Sequence, residues 1–330
     1  MSRVMRVCLQ IFMIVICGLT PLCSFIPVSV SAANDSYPND VKILVHNVYM
    51  LPQTLYPSWG QVKRADLIGE AAYIKGNDLI IFNELYDNEA STKLLGKVKT
   101  QYPYQTPVLG RDEDGWDSTE GSYSGFTPED GGVSIVSKYP ILEKIQHIYS
   151  KGCGTDWYAN KGFAYVKMKK DNRIYHVIGT HMQSDDESCS TGEAASIRKI
   201  QMSEMRQFIE KKKIPAEEVL FIGGDLNVIK GSSEYSSMLN DLHVAEPTMY
   251  TGFSSTWDPT TNGITKYNYP NLAPQYLDYV LVEKDHARPQ KWYVESLYTK
   301  SPEWSVTSWF KKYSYTDYSD HYPVAGFSKP

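Results

Sequence analysis

Six short apolar runs recur along the chain: Val41–Val45, Asp78–Phe82, Gly132–Val136, Tyr175–Ile178, Val219–Ile222 and Leu277–Val282. They are rich in Val and Ile and too short to be helices that bury a face. A run with apolar side chains on both faces predicts a strand covered on both sides, and therefore a layered protein. Helical spacing separates the runs. Leu67, Ile68, Ala71 and Ala72 fit one buried face, and Leu94, Leu95 and Val98 fit a second. Ile197, Ile200, Met205, Phe208 and Ile209 fit a third. The expectation is an α/β chain with sheets inside and helices outside. The sequence has 330 residues and shows no Pro/Ser/Gly linker, repeat or low-complexity tract. With 42% hydrophobic and 22% charged residues, disorder, collagen and coiled coil are excluded. The segment from Gly110 to Asp130, rich in Gly, Ser and Asp, reads as a functional or mobile loop.

The first residues read as an address. Arg3 and Arg6 precede an apolar stretch from Val7 to Leu19, Pro21 and Pro27 break it, and Ser29, Ser31, Ala32 and Ala33 follow. That order is a secretory signal, expected over residues 1–33, with a single catalytic domain over 34–330. A membrane anchor is the alternative, but the clean stretch is shorter than the ~20 residues a span needs. Removing the segment takes two arginines and no acid, so the mature charge becomes about −7. Three of the five cysteines leave with it. Cys153 and Cys189 remain, and one pair in an exported protein reads as a disulfide rather than two free thiols.

Polar residues stand where the runs end. Val41–Val45 leads into His46 and Asn47, Leu79–Phe82 into Asn83 and Glu84, and Val177–Gly179 into Thr180 and His181. Leu220–Gly224 leads into Asp225, Leu226 and Asn227, and Asp320 and His321 precede Pro323. Any one of them could simply cap a turn. Together, rigid strands ending in acid, amide and imidazole can converge on one cleft. Asp225 and Asn227, two apart on an extended chain, face one space. A carboxylate beside an imidazole, as in Asp320-His321, is the base half of a triad. No Gly-x-Ser-x-Gly is present and the mature cysteines look paired, so the nucleophile is expected to be water. Glu84 and Asn47 are hard oxygen ligands suited to Mg²⁺, and no His/Cys cluster has zinc spacing. Metal-assisted phosphoester hydrolysis follows from residue types.

Several of these runs resemble the signature of the deoxyribonuclease-I-like endonuclease/exonuclease/phosphatase superfamily. They are His46–Leu51, Asn83-Glu84, Gly179–His181, Gly223–Asn227, Tyr276–Tyr279 and Ser319–Pro323. Further runs, Leu55–Gln61, Arg64–Ile68, Glu129–Val133, Lys151–Gly154 and Lys266–Pro270, resemble the secreted bacterial neutral sphingomyelinases C. The resemblance spans about Val41 to Phe327 and implies a four-layer α/β/β/α sandwich. It implies that Glu84, helped by Asn47, holds a Mg²⁺, for which Mn²⁺ or Co²⁺ substitute. It implies His321 as general base oriented by Asp320, and Asn227 and His181 as stabilisers of phosphoryl charge. Asp225 positions the water or His181, and Asp258 is a supporting or leaving-group partner. Cys153 and Cys189 match the family's disulfide. Asn88, Glu129 and Asp130 match a second, peripheral divalent site, with Tyr86 where the family has Phe.

The implied substrate is sphingomyelin in a membrane outer leaflet, cleaved to ceramide and phosphocholine by a secreted, monomeric, haemolytic or cytolytic enzyme. An acidic mature chain gives no general attraction to nucleic acid. Ser305–Ser308 leads into Trp309, Phe310, Lys311 and Lys312. As a hairpin tip, the two rings would enter a bilayer interface and the lysines would meet headgroups; the alternative is that both rings are buried. A secreted nuclease of the same fold and a catalytically idle membrane binder remain the competing readings.

Overall fold

Strand Lys42–Asn47 shows why the apolar runs are continuous. Ile43 and Val45 face one buried cluster and Leu44 faces another, so both sides of the strand leave water. The computed structural model describes residues 41–328, which belong to one unit; the expected signal over 1–33 lies outside the described residues.

In chain order the first eight strands are β1 Lys42–Asn47, β2 Leu79–Asn83, β3 Tyr104–Gln105, β4 Ser118–Gly121, β5 Ser134–Ser137, β6 Ile141–Ile148, β7 Gly162–Lys170 and β8 Arg173–His181. The remainder are β9 Val219–Asp225, β10 Val244–Ala245, β11 Met249–Gly252, β12 Asp278–Glu283, β13 Tyr293–Ser296, β14 Trp304–Ser308, β15 Lys311–Tyr315 and β16 Val324–Phe327. The helices are α1 Gln61–Glu70, α2 Asn88–Val98, α3 Glu193–Lys212, α4 Ser233–Asp241 and α5 Gly263–Asn268. One sheet has the order β11-β13-β16-β1-β2-β5-β3 and the other β10-β12-β9-β8-β7-β6-β4; β14 and β15 form a separate ribbon.

The sheets pack face to face through Ile43, Val45, Ile81 and Ile135 on one side and Val177, Phe221 and Val280 on the other. Helices α1 and α2 cover the outer face of the first sheet with Ala65, Ile68, Leu94 and Val98. Met205, Phe208 and Ile209 of α3, with Met238 of α4, join the core from the second sheet's side. The result is the four-layer α/β/β/α sandwich. Burial of each Leu, Ile or Phe contributes about 1.5–3 kcal/mol, so the core depends on many such residues.

Three local expectations change. Helix α1 stops at Glu70, and Ala71 turns extended, so Ala71 and Ala72 lie beyond it. Ile200 is exposed on α3, because Gln201 and Met202 take the buried positions beside it. The 110–130 segment is not wholly loop: β4 pairs in parallel with β6. Among the described residues no helix is long and apolar enough to cross a membrane. Cys153 and Cys189 are joined in a disulfide.

Candidate active site

Strand direction and register bring the polar residues together. Asn47 pairs with Asn83 where β1 and β2 run parallel, and His181 pairs with Asp225 where β8 and β9 do. Strand β12 runs antiparallel to β9, so its first residue, Asp278, also pairs with Asp225. His321 arrives just before β16, bridged to Trp257. Asn83 locks the two sheets at this end: its amide donates to Thr180 O at 3.0 Å, and its oxygen accepts the Asp225 N–H at 3.0 Å. Gly224 admits the close strand approach, since a Cβ there would stand 1.8 Å from Thr180 O. Glu84 and Asn227 turn out of their strands in left-handed backbone, at φ 60° and 52°, a strain held by the surrounding structure and common at working sites.

The centre is buried and crowded with charge. Asn47 Nδ2 donates to Glu84 Oε1 at 2.8 Å and to Asp225 Oδ2 at 3.0 Å, while Asn47 Oδ1 accepts the Tyr49 N–H at 3.1 Å. Asn47 therefore bridges the Glu84 and Asp225 carboxylates. Glu84 Oε2 is buried without a hydrogen-bond partner. Burial, and then the charge of Asp320, push the Glu84 carboxyl up to about 8. A buried, unpartnered hard oxygen among further acids fits a divalent cation such as Mg²⁺. Ligand atoms of Glu84, His181 and Asp225 all lie within 4.8 Å of one another.

His321 Nδ1 bonds Asp278 Oδ2 at 2.8 Å, and its Nε2 stands 3.7 Å from Asp225 Oδ2. The orienting carboxylate is thus Asp278, not the adjacent Asp320, which sits in the bend before His321. The Asp320 carboxylate accepts from Ser319 Oγ at 3.2 Å and acts on Glu84 through its charge. Burial alone would lower His321's affinity for its proton. The carboxylates of Asp278, Asp320 and Asp225 outweigh burial and hold it well above the usual histidine value. Asp225 is pushed up to about 6 by burial and by Asp278, against His321 and Asn47.

His181 behaves oppositely. Burial, then the positive charges of Lys161 and His321, keep it neutral, well below the usual value. Its Nδ1 meets the Tyr86 hydroxyl at 3.3 Å. With that hydroxyl donating, the ring's hydrogen sits on Nε2, which lies 3.9 Å from Glu84 Oε1. The hydroxyl that distinguishes Tyr86 from the expected Phe thus sits against the site. Asn227 donates from Nδ2 to Met182 O at 3.1 Å and has a second amide hydrogen to offer.

Other expected residues lie elsewhere. Asp258 spends its carboxylate on Thr260 N and Oγ1, at 2.7 and 2.6 Å, and on Thr261 Oγ1 at 2.9 Å. It braces the loop after Trp257, in keeping with the supporting role of the two expected. Asn88 is exposed at the start of α2. Asp130 is gripped by Arg111 at 2.7 and 2.8 Å and accepts the Gly132 N–H at 2.9 Å. Arg111 supplies positive charge beside Glu129 and Asp130, and the peripheral divalent site expected there stays a proposal. Trp309 and Phe310 form the two-residue turn between β14 and β15, both at positive φ, 50° and 62°. They are 88% and 104% exposed, so the buried alternative falls.

Two residues lie in runs that carry the resemblance but are given no role there. Asp278 opens its strand instead of closing it. Arg64 is wholly buried and donates only to main-chain carbonyls: Trp59 O at 2.7 Å, Val48 O at 2.5 Å, Tyr318 O at 3.1 Å, and Tyr49 O. It ties the segment after Asn47 to the one before Asp320.

The endonuclease/exonuclease/phosphatase family model matches residues 44–321. A sphingomyelinase C of Listeria ivanovii is 54% identical over 90% of this chain and 88% of its own length. A phospholipase C of Staphylococcus aureus is 54% identical over 91% of both. A crystal structure of a double mutant of the Staphylococcus aureus beta toxin with bound magnesium ions superposes with a TM-score of 0.87, at 55% identity, over 88% of this chain and 100% of that one. A Bacteroides thetaiotaomicron mannosyl-6-phosphatase, 13% identical with a TM-score of 0.57, shares the fold alone. The chain belongs to the endonuclease/exonuclease/phosphatase family, and within it to the branch of the bacterial sphingomyelinases C.

Proposed function

We propose that this protein is a secreted, Mg²⁺-dependent sphingomyelinase C that cleaves sphingomyelin to ceramide and phosphocholine. The observation that carries the reading is the His321–Asp278 pair at 2.8 Å, with Nε2 turned into the carboxylate cluster of a chain 54% identical to sphingomyelinase C. Water attacks phosphorus and His321 Nε2 takes its proton once the ring has released the one that the surrounding carboxylates hold there, a release that a divalent cation among those carboxylates would favour; Asp278 fixes the ring by holding Nδ1. The phosphorus–oxygen bond to ceramide breaks, and the leaving oxygen takes up a proton. Neutral His181 donates from Nε2 and Asn227 from its free amide hydrogen to the phosphoryl oxygens, where negative charge builds. A Mg²⁺ held by Glu84 supplies Lewis-acid stabilisation of the phosphodiester.

The exposed Trp309-Phe310 tip, with Lys311 and Lys312 beside it, supports contact with the outer leaflet; the enzyme is proposed to act as a monomer. Haemolytic or cytolytic action is the consequence proposed for such an enzyme. Mn²⁺ and Co²⁺ are expected to replace Mg²⁺. The test is phosphocholine release from sphingomyelin liposomes by the mature protein, with Mg²⁺ and with chelator, beside His321→Ala and a DNA substrate. Release that chelator abolishes, and that the variant lowers by about 10³-fold or more, is expected. DNA cleavage without phosphocholine release would overturn the substrate; binding without either would leave a membrane-binding protein.

A further inference from the structure

A second group of bare aromatic rings stands at the catalytic end, away from the hairpin. Phe126 is 100% exposed, Trp157 62% and Tyr158 61%. They come from two segments that one buried residue binds together. Asn160 donates from Nδ2 to Ser124 O and to Gly110 O, each at 3.0 Å, and its Oδ1 accepts the Ser124 N–H at 3.4 Å. The segments also share main-chain bonds: Glu129 N donates to Tyr158 O at 3.1 Å, and Asn160 N to Glu129 O at 2.9 Å. Phe126 tops a turn closed on Ser124, whose hydroxyl accepts the Phe126 N–H at 3.2 Å. Asp156, just before Trp157, faces inward, accepting from Lys161 Nζ at 2.8 Å and the Ser184 N–H at 2.8 Å. The polar neighbour turns in and the rings turn out.

Register places these rings relative to the site. Strand β5 follows the Phe126 loop, and its Ser134 pairs with Phe82, two residues before Glu84. Strand β7 follows the Trp157-Tyr158 turn, and its Phe163 pairs with Thr180, beside His181. The hairpin precedes β16, whose Val324 pairs with Val45. In the sheets β16 lies on one side of β1 and β2 while β5 lies on the other, and β7 flanks β8. The two aromatic groups therefore emerge at one end, on opposite sides of the catalytic cluster.

We propose that Phe126, Trp157 and Tyr158 form a second bilayer-docking surface, which with the hairpin seats the catalytic mouth on a zwitterionic phospholipid membrane. The inference rests on the reading of the chain as a membrane-acting phosphodiesterase. A bilayer is the partner because exposed aromatic rings partition to the headgroup boundary, and because the patch shares its end with the hairpin and the site. Three of the acids around it are committed inward, Asp130 to Arg111, Asp156 to Lys161, and Asp186 to Thr155 and Ser188. Glu129 is half-buried and accepts only from the Asp130 N–H, so the patch offers no pull toward an anionic lipid. Two weak contacts on one rigid body strengthen each other, since the first brings the second to high local concentration.

The experiment measures partitioning of the full mature protein onto phosphatidylcholine/sphingomyelin vesicles, and its hydrolysis of both those vesicles and a water-soluble phosphocholine ester. A variant carrying Phe126→Ser, Trp157→Ser and Tyr158→Ser should partition about tenfold more weakly. Its vesicle hydrolysis should fall in step and its soluble-ester hydrolysis stay unchanged. Trp157→Phe alone should keep most of the binding. Two results overturn the proposal: partitioning unaltered in the triple variant while Trp309→Ser/Phe310→Ser loses it, or equal loss on the soluble ester. If the unaltered protein hydrolyses neither substrate, the catalytic reading fails; its vesicle partitioning, compared with the triple variant's, still decides the docking surface.

Discussion

At the scale of single residues, His321 is defined by what lies on each side of its ring. Asp278 holds Nδ1 and the carboxylate cluster faces Nε2. Asp278→Asn should therefore keep the fold while lowering kcat about 10²–10⁴-fold, with KM little changed; steady-state kinetics on sphingomyelin/detergent micelles checks it. Turnover close to that of the unaltered protein would remove Asp278 from the base assembly. Strand endings were the legible part of the site. Asn47, Glu84, His181, Asp225 and Asn227 follow apolar runs and do meet in one cluster. Asp278 hid because β12 is antiparallel to β9, so its chemistry sits at its start, and strand direction is not written in a short apolar run. Adjacency misled for Asp320, and Asp258 lies in a polar loop whose threonines claim its oxygens.

At the scale of elements, α1 reaches the site through one side chain. Arg64 brings a guanidinium to four carbonyls from three segments, with no carboxylate bonded to it. Gly60 opens the helix at φ 52°, and a Cβ there would stand 2.7 Å from the Trp304 ring. Trp304 in turn anchors the hairpin with Trp59, Ile264 and Tyr315. Arg64→Met leaves buried carbonyls unpaired and should cost about 3–5 kcal/mol, measured as a fall in the denaturant midpoint at constant m-value. A change within error would mean that those segments hold without it. Helix periodicity made α2 and most of α3 legible. It overran the end of α1, where Gly69 lies inside the last turn and Ala71 turned extended.

At the scale of the whole molecule, layers were legible because both faces of β1 and β2 are apolar. The tie between α3 and the edge of the second sheet was not, since it depends on residues far apart in sequence. Glu283 on β12 is wholly buried. It accepts from Arg206 Nη1 of α3 at 2.7 Å and pairs with His286 at 2.6 Å, while His243 stands 3.6 Å away. Burial alone would raise its carboxyl. The His286 hydrogen bond and charge, the Asp285 N–H and Arg206 outweigh burial and bring it down to about 2. A carboxyl depressed in the folded state stabilises above its unfolded value, about 4.3, and that contribution disappears as pH falls toward 2. The urea midpoint should thus drop between about pH 4.5 and 2. Glu283→Gln should be less stable at pH 6 and show a shallower acid loss; parallel pH curves for the two proteins would refute the assignment.

The strand directions that gather the catalytic cluster also gather the exposed rings, so both share one pole of the molecule. If the rings dock as proposed, any encounter that holds the protein on a membrane also points its cleft at the lipids. Once landed, its search for substrate becomes two-dimensional. Turnover should then track the fraction of substrate within the leaflet more closely than the amount of lipid in the tube.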